Sequence, residues 1–229
     1  GNNQVAVGND ALEDNTTGSN NTAVGVNALN SNTTADNNVA VGLNALTVNT
    51  TGASNVAVGK GALDANTTAN YNTAMGLDSL GNNTTGTQNT AVGESALAAN
   101  TTANYNTGLG SGALASNTTG ASNVAVGRAA LLLNTTGAEN VAVGKGALDA
   151  NSTASYNTGV GYDALSAVTT GASNTGFGQN SGRSITTGAD NTAVGANALE
   201  ATTTGLNNIA IGKSAMQVST TAQDTVCIG

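Results

Sequence analysis

The amino-acid sequence predicts an all-β fold, a parallel β-roll or β-solenoid in which each coil contains 17 residues. Three observations lead to this prediction: one short motif recurs from end to end, each recurrence follows the last by 17 residues, and ordinary core residues are scarce. The chain has 229 residues, of which 2% are aromatic, and it contains no Pro, His or Trp. Coils that stack on one another need equal contour lengths, whereas a globular domain does not.

The repeated motif is a β-branched residue, a small residue, a large apolar residue and Gly, first seen at residues 5–8. Thirteen full units follow one another without insertion, and we number their positions place one to place seventeen from the β-branched residue. A fourteenth, partial copy starts one residue out of register at Thr225, unless it is counted from Val226. We therefore expect a single repeat domain over residues 1–229, forming a segment of a longer fibre.

A first strand is predicted at places one to three, as in Val56-Ala57-Val58. Because side chains alternate along a strand, places one and three share one face, and their β-branched and large apolar residues predict that this face is interior. Place two is Ala or Gly in every full unit, so a close neighbour is expected on the opposite face as well.

The rest of the unit predicts two corners and a second strand. Gly at place four indicates a positive φ or a close backbone neighbour. The polar places five and six predict a turn, and Ala-Leu at places seven and eight predicts a short strand whose Leu side chain is interior. Asn-Thr-Thr followed by Gly or Ala, at places eleven to fourteen, predicts the second corner, with Asn and Gly supplying backbone freedom.

All charged residues fall at places five, six, nine, ten, fifteen and sixteen. A buried unpaired charge would cost several kcal/mol, so these six places are predicted to face solvent. Four Tyr residues occupy the same set of places and are candidates for surface contacts: Tyr71, Tyr105 and Tyr156 at place sixteen, and Tyr162 at place five.

Units such as Asn-Val-Ala-Val-Gly-Lys-Gly-Ala-Leu, at residues 55–63 and 140–148, resemble the head repeats of YadA-type trimeric autotransporter adhesins. The 17-residue form with Asn-Thr-Thr-Gly is also similar to tail-fibre-like repeats that precede endosialidase-type chaperone domains. The resemblance covers the whole chain and implies a left-handed parallel β-roll with three chains about one axis. These units are a few residues longer than adhesin head repeats, and neither a membrane anchor nor a chaperone domain occurs in the 229 residues.

A trimer also follows from the thinness of the predicted core. Two short strands would enclose about three large side chains per coil, too few to offset roughly 1 to 2 kcal/mol of backbone entropy per residue. The small residues at places two and seven would let three chains approach closely, and the alternative is a single-chain solenoid.

Composition argues against several function classes. The net charge of −8 disfavours nucleic acid, which needs a basic face. An enzyme is not expected, because His is absent, the acids form no recurring pair and Cys227 has no base near it in sequence. No cofactor, metal site or membrane insertion is predicted either.

The predicted function is that of a structural or adhesive fibre segment, a bacterial adhesin head or a phage tail-fibre shaft. Such a segment would be extracellular, on a cell surface or virion, and would self-associate as a homotrimer or filament. Its outer places would meet a host-surface glycan or protein.

Two alternatives use the repeat itself. An ice-binding solenoid would display Thr in files about 4.8 Å apart. A glycosylated extracellular filament would carry glycans at the Asn of the repeated Asn-Thr-Thr segment, which satisfies the Asn-x-Thr acceptor pattern at Asn15, Asn32, Asn49, Asn66, Asn83, Asn100, Asn117 and Asn134.

One coil, residues 175–191, breaks the pattern. Gly182 replaces the Leu of place eight, and Phe177 replaces the usual Val of place three. We expect the Phe177 ring to fill the space that Leu occupies elsewhere, with Arg183 and Ile185 covering the corner that has lost its Asn.

Overall fold

A computed structural model describes residues 2–229 and confirms an all-β solenoid with one coil per 17-residue unit. No helix forms among these residues, so they include no helix long and apolar enough to cross a membrane. Each coil contributes one three-residue strand, and the strands are Val5–Val7 (β1), Thr22–Val24 (β2), Val39–Val41 (β3), Val56–Val58 (β4), Thr73–Met75 (β5), Thr90–Val92 (β6), Thr107–Leu109 (β7), Val124–Val126 (β8), Val141–Val143 (β9), Thr158–Val160 (β10), Thr175–Phe177 (β11), Thr192–Val194 (β12), Ile209–Ile211 (β13) and Val226–Ile228 (β14).

The chain divides into two compact units, the first ending at Gly112 and the second beginning at Ala113. Strands β1 to β7 belong to the first unit and β8 to β14 to the second. Within each unit the strands pair in parallel and in chain order, each residue opposite its equivalent 17 residues away. Val226 pairs with Ile209 in the same register, so the last copy begins at Val226 and contains no shift.

The interior of each coil lies on the side of place two, and the prediction that places one and three are interior is wrong. Ala40 at place two and Leu46 at place eight are completely buried, whereas Val39 and Val41 are partly exposed. Leu fills the coil from the opposite wall and leaves room for little more than a methyl group. At Gly176, an added Cβ would already lie 2.9 Å from Leu165 Cγ. A Val side chain therefore does not fit inside, and the larger strand residues point outward.

The predicted second strand at places seven and eight does not form; the residues there make a turn. The residues at places six and eight have left-handed backbone conformations, as at Asn27 (φ 57°) and Leu29 (φ 49°). This conformation costs a Leu about 1 to 3 kcal/mol, and complete burial of its side chain returns about 1.5 to 3 kcal/mol. Burial of Leu at place eight, which was predicted, is confirmed.

Gly at place four is required for both of the predicted reasons. Gly25 has φ +140°, and an added Cβ would lie 2.4 Å from the carbonyl oxygen of Gly42 in the next coil. The second corner was predicted to need the backbone freedom of Asn and Gly, and this is wrong. Neither Asn at place eleven nor Gly at place fourteen has a positive φ. Asn serves that corner through its side-chain amide.

The exposure of the charged places is confirmed. Lys60 and Lys145 are exposed and Asp64 is half-buried, and none of the charged residues is buried among those that the structure describes. These side chains project from the turns, away from the Ala and Leu layers.

The coil at residues 175–191 is compensated differently from the prediction. Phe177 stands at an outward-facing place and is 44% exposed, so its ring does not replace the missing Leu. An added Cβ at Gly182 would lie 2.6 Å from Leu165 Cδ2 and 3.0 Å from Ile185 Cδ1. The neighbouring Leu165 and Ile185 have thus closed over the position of the missing Leu. Ile185, which was predicted to cover the corner that has lost its Asn, is buried there, whereas Arg183, predicted to do the same, is exposed.

Candidate functional site

Within each unit, the Asn residues of the predicted glycosylation patterns form a buried amide ladder along place eleven. Asn66 Nδ2 donates to Asn49 Oδ1 at 2.9 Å and to the carbonyl oxygen of Ala69 at 3.2 Å. Asn66 Oδ1 accepts in turn from Asn83 Nδ2 at 3.1 Å. Each amide therefore joins its coil to two neighbours and also closes its own corner. The ladder places side-chain amides where the backbone alone would leave polar groups without partners.

In the second unit the ladder ends at Asn151, because the next place eleven is Val168. Asn151 Nδ2 donates to Asn134 Oδ1 at 2.8 Å and to the carbonyl oxygen of Ala154 at 3.0 Å. Its Oδ1 is buried and has no hydrogen-bond partner. A ladder that runs in one direction leaves one such acceptor at its last rung, and a Val cannot supply a donor.

The ladder sets a condition on the predicted glycosylation. Asn32, Asn49, Asn66, Asn83, Asn100, Asn117 and Asn134 are completely buried, and Asn15 is half-buried. Nδ2, the atom to which a glycan would be joined, donates hydrogen bonds within the coil at the buried rungs. A glycan on a buried rung would displace these hydrogen bonds and open the corner, whether it was attached before or after folding.

A second buried ladder, at place seventeen, was not predicted. Asn38 Nδ2 donates to the carbonyl oxygen of Gly52 at 2.9 Å, and Asn38 Oδ1 accepts from the backbone N–H of Asn55 at 2.9 Å. Asn21 repeats the arrangement one coil earlier. The available indication was the constancy of Asn at this place, from Asn21 to Asn208, without the Ser, Asp and Gly that ordinary turns also accept.

Three of the four candidate Tyr residues occupy place sixteen, and the two in the first unit, Tyr71 and Tyr105, form what we call the Tyr column. Tyr71 and Tyr105 belong to the first unit and Tyr156 to the second, and their side chains are 65%, 58% and 60% exposed. All three have left-handed backbone conformations, with φ between 61° and 65°. Other coils use Asn, Asp, Ser, Gln or Glu at this place. The Tyr residues are therefore tolerated at a conformational cost and gain little burial within the chain.

Tyr162 lies apart from this column, at place five. The Nζ atom of Lys145 stands 5.3 Å from the centroid of the Tyr162 ring, within the range of a cation–π contact. Lys145 belongs to the preceding coil, so this contact links two neighbouring turns. The structure thus separates Tyr162 from the other candidates.

Two pairs of carboxylates occur at equivalent positions in the two units. Partial burial, and then the charge of Asp78, raise the pKa of Asp64 above its ordinary value. Partial burial and the charge of Asp163 raise the pKa of Asp149 in the same way. These pairs are not apparent within a single 17-residue unit, because each pair spans two coils, from place nine to place six of the next. No group of three or more His, Cys, Asp or Glu residues suited to a metal ion occurs within residues 2–229.

An apolar strip runs along the outside of each unit, and we define it as places one and three of every coil. Its residues are all partly or largely exposed, and the most exposed large ones within the stacks include Met75 (44%), Phe177 (44%) and Ile211 (41%). Places two and seven, which were predicted to form the contact surface between chains, are completely buried in most coils. That prediction is wrong because the small residues line the interior of their own coil.

Thr residues form one solvent-facing file. Place thirteen is an exposed Thr in every full unit. At place twelve, hydroxyl groups donate to backbone carbonyl oxygens of the next coil, as from Thr33 Oγ1 to Thr50 O at 3.1 Å. Of the two places at this corner, only place thirteen therefore presents a file of Thr residues to solvent, whereas a flat ice-binding array would need two files.

Cys227, the one cysteine, lies at place two of the last strand and is half-buried.

No protein-family model and no curated protein matches this chain.

Proposed function

We propose that this chain is a segment of an elongated structural or adhesive fibre that associates with further copies of itself. The observation that carries the proposal is the apolar strip at places one and three. Place one is Thr in seven of the thirteen full units and Val or Ile in the other six, so the apolar character of the strip rests mainly on place three. A solvated position would be expected to carry Lys, Glu, Ser or Thr, whereas place three is Val, Leu, Ile, Met or Phe in every full unit. A continuous exposed apolar surface of this kind is typical of a protein–protein interface.

The coils supply the stiffness that a fibre needs. Backbone hydrogen bonds join each coil to the next at many points, for example from Val39 N to Asn55 O at 2.9 Å and from Leu46 N to Ala62 O at 3.0 Å. Side-chain amides add two further files of bonds. Seven strands with about 4.8 Å between neighbours make the first unit a stack of roughly 30 Å. A β-solenoid of this kind is compatible with a structural, fibre-like segment.

The homotrimer is the form of self-association that we propose, in line with the resemblance to adhesin head and tail-fibre repeats. Three copies would turn their apolar strips toward a common axis, with place sixteen, two residues before place one, and place five, two residues after place three, at the two edges of the contact. The proposed location of such a fibre is extracellular, on a cell surface or virion, where its outer places would provide multivalent attachment.

Sedimentation velocity on the full chain tests this proposal. We expect a trimer at micromolar concentration, and monomers when Val92 and Val143, two exposed residues of the strip, are both changed to Lys. The matched control changes Thr85 and Thr136, which are exposed at place thirteen, to Lys. A wild-type chain that sediments as a monomer, or a Val-to-Lys variant that remains trimeric, would contradict the proposal.

A further inference from the structure

We propose that the Tyr column of the first unit is a binding site for a neutral, linear β-1,4-linked polysaccharide that lies along the stacking direction. The site consists of the rings of Tyr71 and Tyr105 together with the polar side chains of the coil between them. It deepens the proposed function, because it gives an adhesive fibre segment a class of ligand.

The backbone conformation of the two Tyr residues is the first argument. Place sixteen requires a positive φ, which Asn and Asp adopt more readily than a bulky aromatic residue does. Tyr71 (φ 61°) and Tyr105 (φ 63°) nevertheless occupy it, and more than half of each side chain is exposed. Strain that is kept at an exposed aromatic residue, without burial to offset it, points to a contact outside the chain.

The spacing of the rings is the second argument. Tyr71 and Tyr105 lie two coils apart, which corresponds to roughly 10 Å at about 4.8 Å per coil. An extended β-1,4-linked glycan turns the same face of every second sugar to one side, at nearly this repeat. The apolar C–H face of an equatorially linked sugar packs on an aromatic ring, so the two rings would hold alternate sugars.

Polar groups beside the rings suit the sugar hydroxyls. Gln88 occupies place sixteen of the intervening coil and is exposed. Asn104 uses its Oδ1 to accept from the backbone N–H of Thr87 at 2.6 Å, which orients its amide beside Tyr105. The exposed hydroxyls of Thr85 and Thr102 stand at place thirteen of the same corner. Amides and hydroxyls of this kind, next to an aromatic surface, are typical of carbohydrate recognition.

The charge of the surface selects a neutral ligand. Places thirteen, fifteen and sixteen of residues 2–112 carry no Lys or Arg and one acid, Asp36. The whole chain has a net charge of −8. An anionic glycan would find no counter-charge in this column, whereas a glucan or a chitin-like polymer needs none.

Isothermal titration calorimetry on the full chain, with cellohexaose and chitohexaose as probes, tests the inference. We expect at least one of them to bind, and the comparison shows which sugar is preferred. Tyr71→Asn or Tyr105→Asn should each weaken binding roughly tenfold, and the double variant should abolish it. Tyr71→Phe should retain binding, since the ring is kept. Tyr162→Asn, at place five, is the matched control and should bind as the wild type does.

Folding and binding can be separated in this experiment. Asn already occupies place sixteen in other coils, so the Asn variants should unfold at the same urea concentration as the wild type or higher. Absence of binding by both hexasaccharides, or unchanged binding by the double Asn variant, would overturn the inference. Tyr71 and Tyr105 each precede a place-one residue of the apolar strip by two positions. The double Asn variant is therefore also examined by sedimentation velocity, and it should keep the oligomeric state of the wild type while it loses binding. A change of oligomeric state would overturn the inference, because the Tyr residues would then belong to the contact between chains.

Discussion

The place-eleven ladder predicts that the substitution Asn→Val lowers the free energy of unfolding by very different amounts at two adjacent rungs. We consider Asn134→Val, in the body of the ladder, and Asn151→Val, at its end; both belong to the second unit. Val fits the position, because Val168 is completely buried at the same place two coils after Asn134. The two variants therefore differ in hydrogen bonding and hardly in shape.

Asn134→Val breaks the bonds of Nδ2 to Asn117 Oδ1 at 2.8 Å and to Gly137 O at 2.9 Å. It also removes the acceptor for Asn151 Nδ2. Two buried amides thus lose a partner, at about 1 to 3 kcal/mol each. Asn151→Val takes a donor from Asn134 Oδ1 and from the carbonyl oxygen of Ala154, which keeps its bond from Asn140 Nδ2 at 2.8 Å. Because it also removes the unpartnered Oδ1 of Asn151, the number of unsatisfied acceptors does not change. The expected difference in the free energy of unfolding is about 2 to 6 kcal/mol.

Urea unfolding followed by circular dichroism measures this difference, with equal denaturant slopes confirming that the two variants unfold from comparable states. Asn134→Val should shift the midpoint to clearly lower urea, and Asn151→Val should shift it much less. If both variants lost the same free energy of unfolding, within about 0.5 kcal/mol, the ladder would not be the source of the stabilisation.

Three further predictions concern single positions. Val168→Thr should stabilise the chain by about 1 kcal/mol in urea unfolding, because its hydroxyl can donate to Asn151 Oδ1, and destabilisation would show that no usable donor geometry exists there. Gly59→Ala should lower the free energy of unfolding by more than about 3 kcal/mol, because its Cβ would lie 2.5 Å from a carbonyl oxygen of the next coil. Gly81→Ala, whose φ is not positive and whose Cβ would meet nothing nearer than 3.3 Å, is the control and should change little. Because the pKa of Asp64 is raised in the fold, its contribution to stability should fall as pH rises from 3.8 through the raised pKa. Asp64→Asn should remove that dependence and stabilise the chain at pH 7 by a few tenths of a kcal/mol, and an unchanged pH profile would contradict the assignment.

Much of the fold could be predicted from the sequence because a solenoid repeats each local requirement in every coil. A position with a positive φ and a carbonyl oxygen within contact distance admits only Gly, and place four shows this thirteen times. Charged residues likewise recur at only six places, which identifies those places as solvent-facing. Leu at place eight was identified as interior because it is nearly constant and large.

The repeat pattern does not show which face of the strand is interior. Alternation over three residues shows that two faces exist, and size suggested that Val56 and Val58 lie inside. The coil is narrower than that reasoning assumed, since Leu63 enters from the opposite wall and only Ala57 fits between. The local conformation at place eight was equally hidden, because Leu rarely adopts a left-handed backbone conformation and no propensity predicts it there.

The same geometry indicates where function can reside on this chain. Places two, four, seven, eight, eleven and seventeen are fixed by packing, backbone contact or amide bonding, so their constancy explains the fold and needs no ligand. Place sixteen differs, because its backbone constrains the residue while its side chain remains in solvent. Asn20 and Ser54 satisfy that constraint cheaply, and Tyr71 and Tyr105 do not. A residue with a costly backbone conformation and little burial is best explained by a contact outside the chain. In the first unit, the residues of the Tyr column meet both conditions.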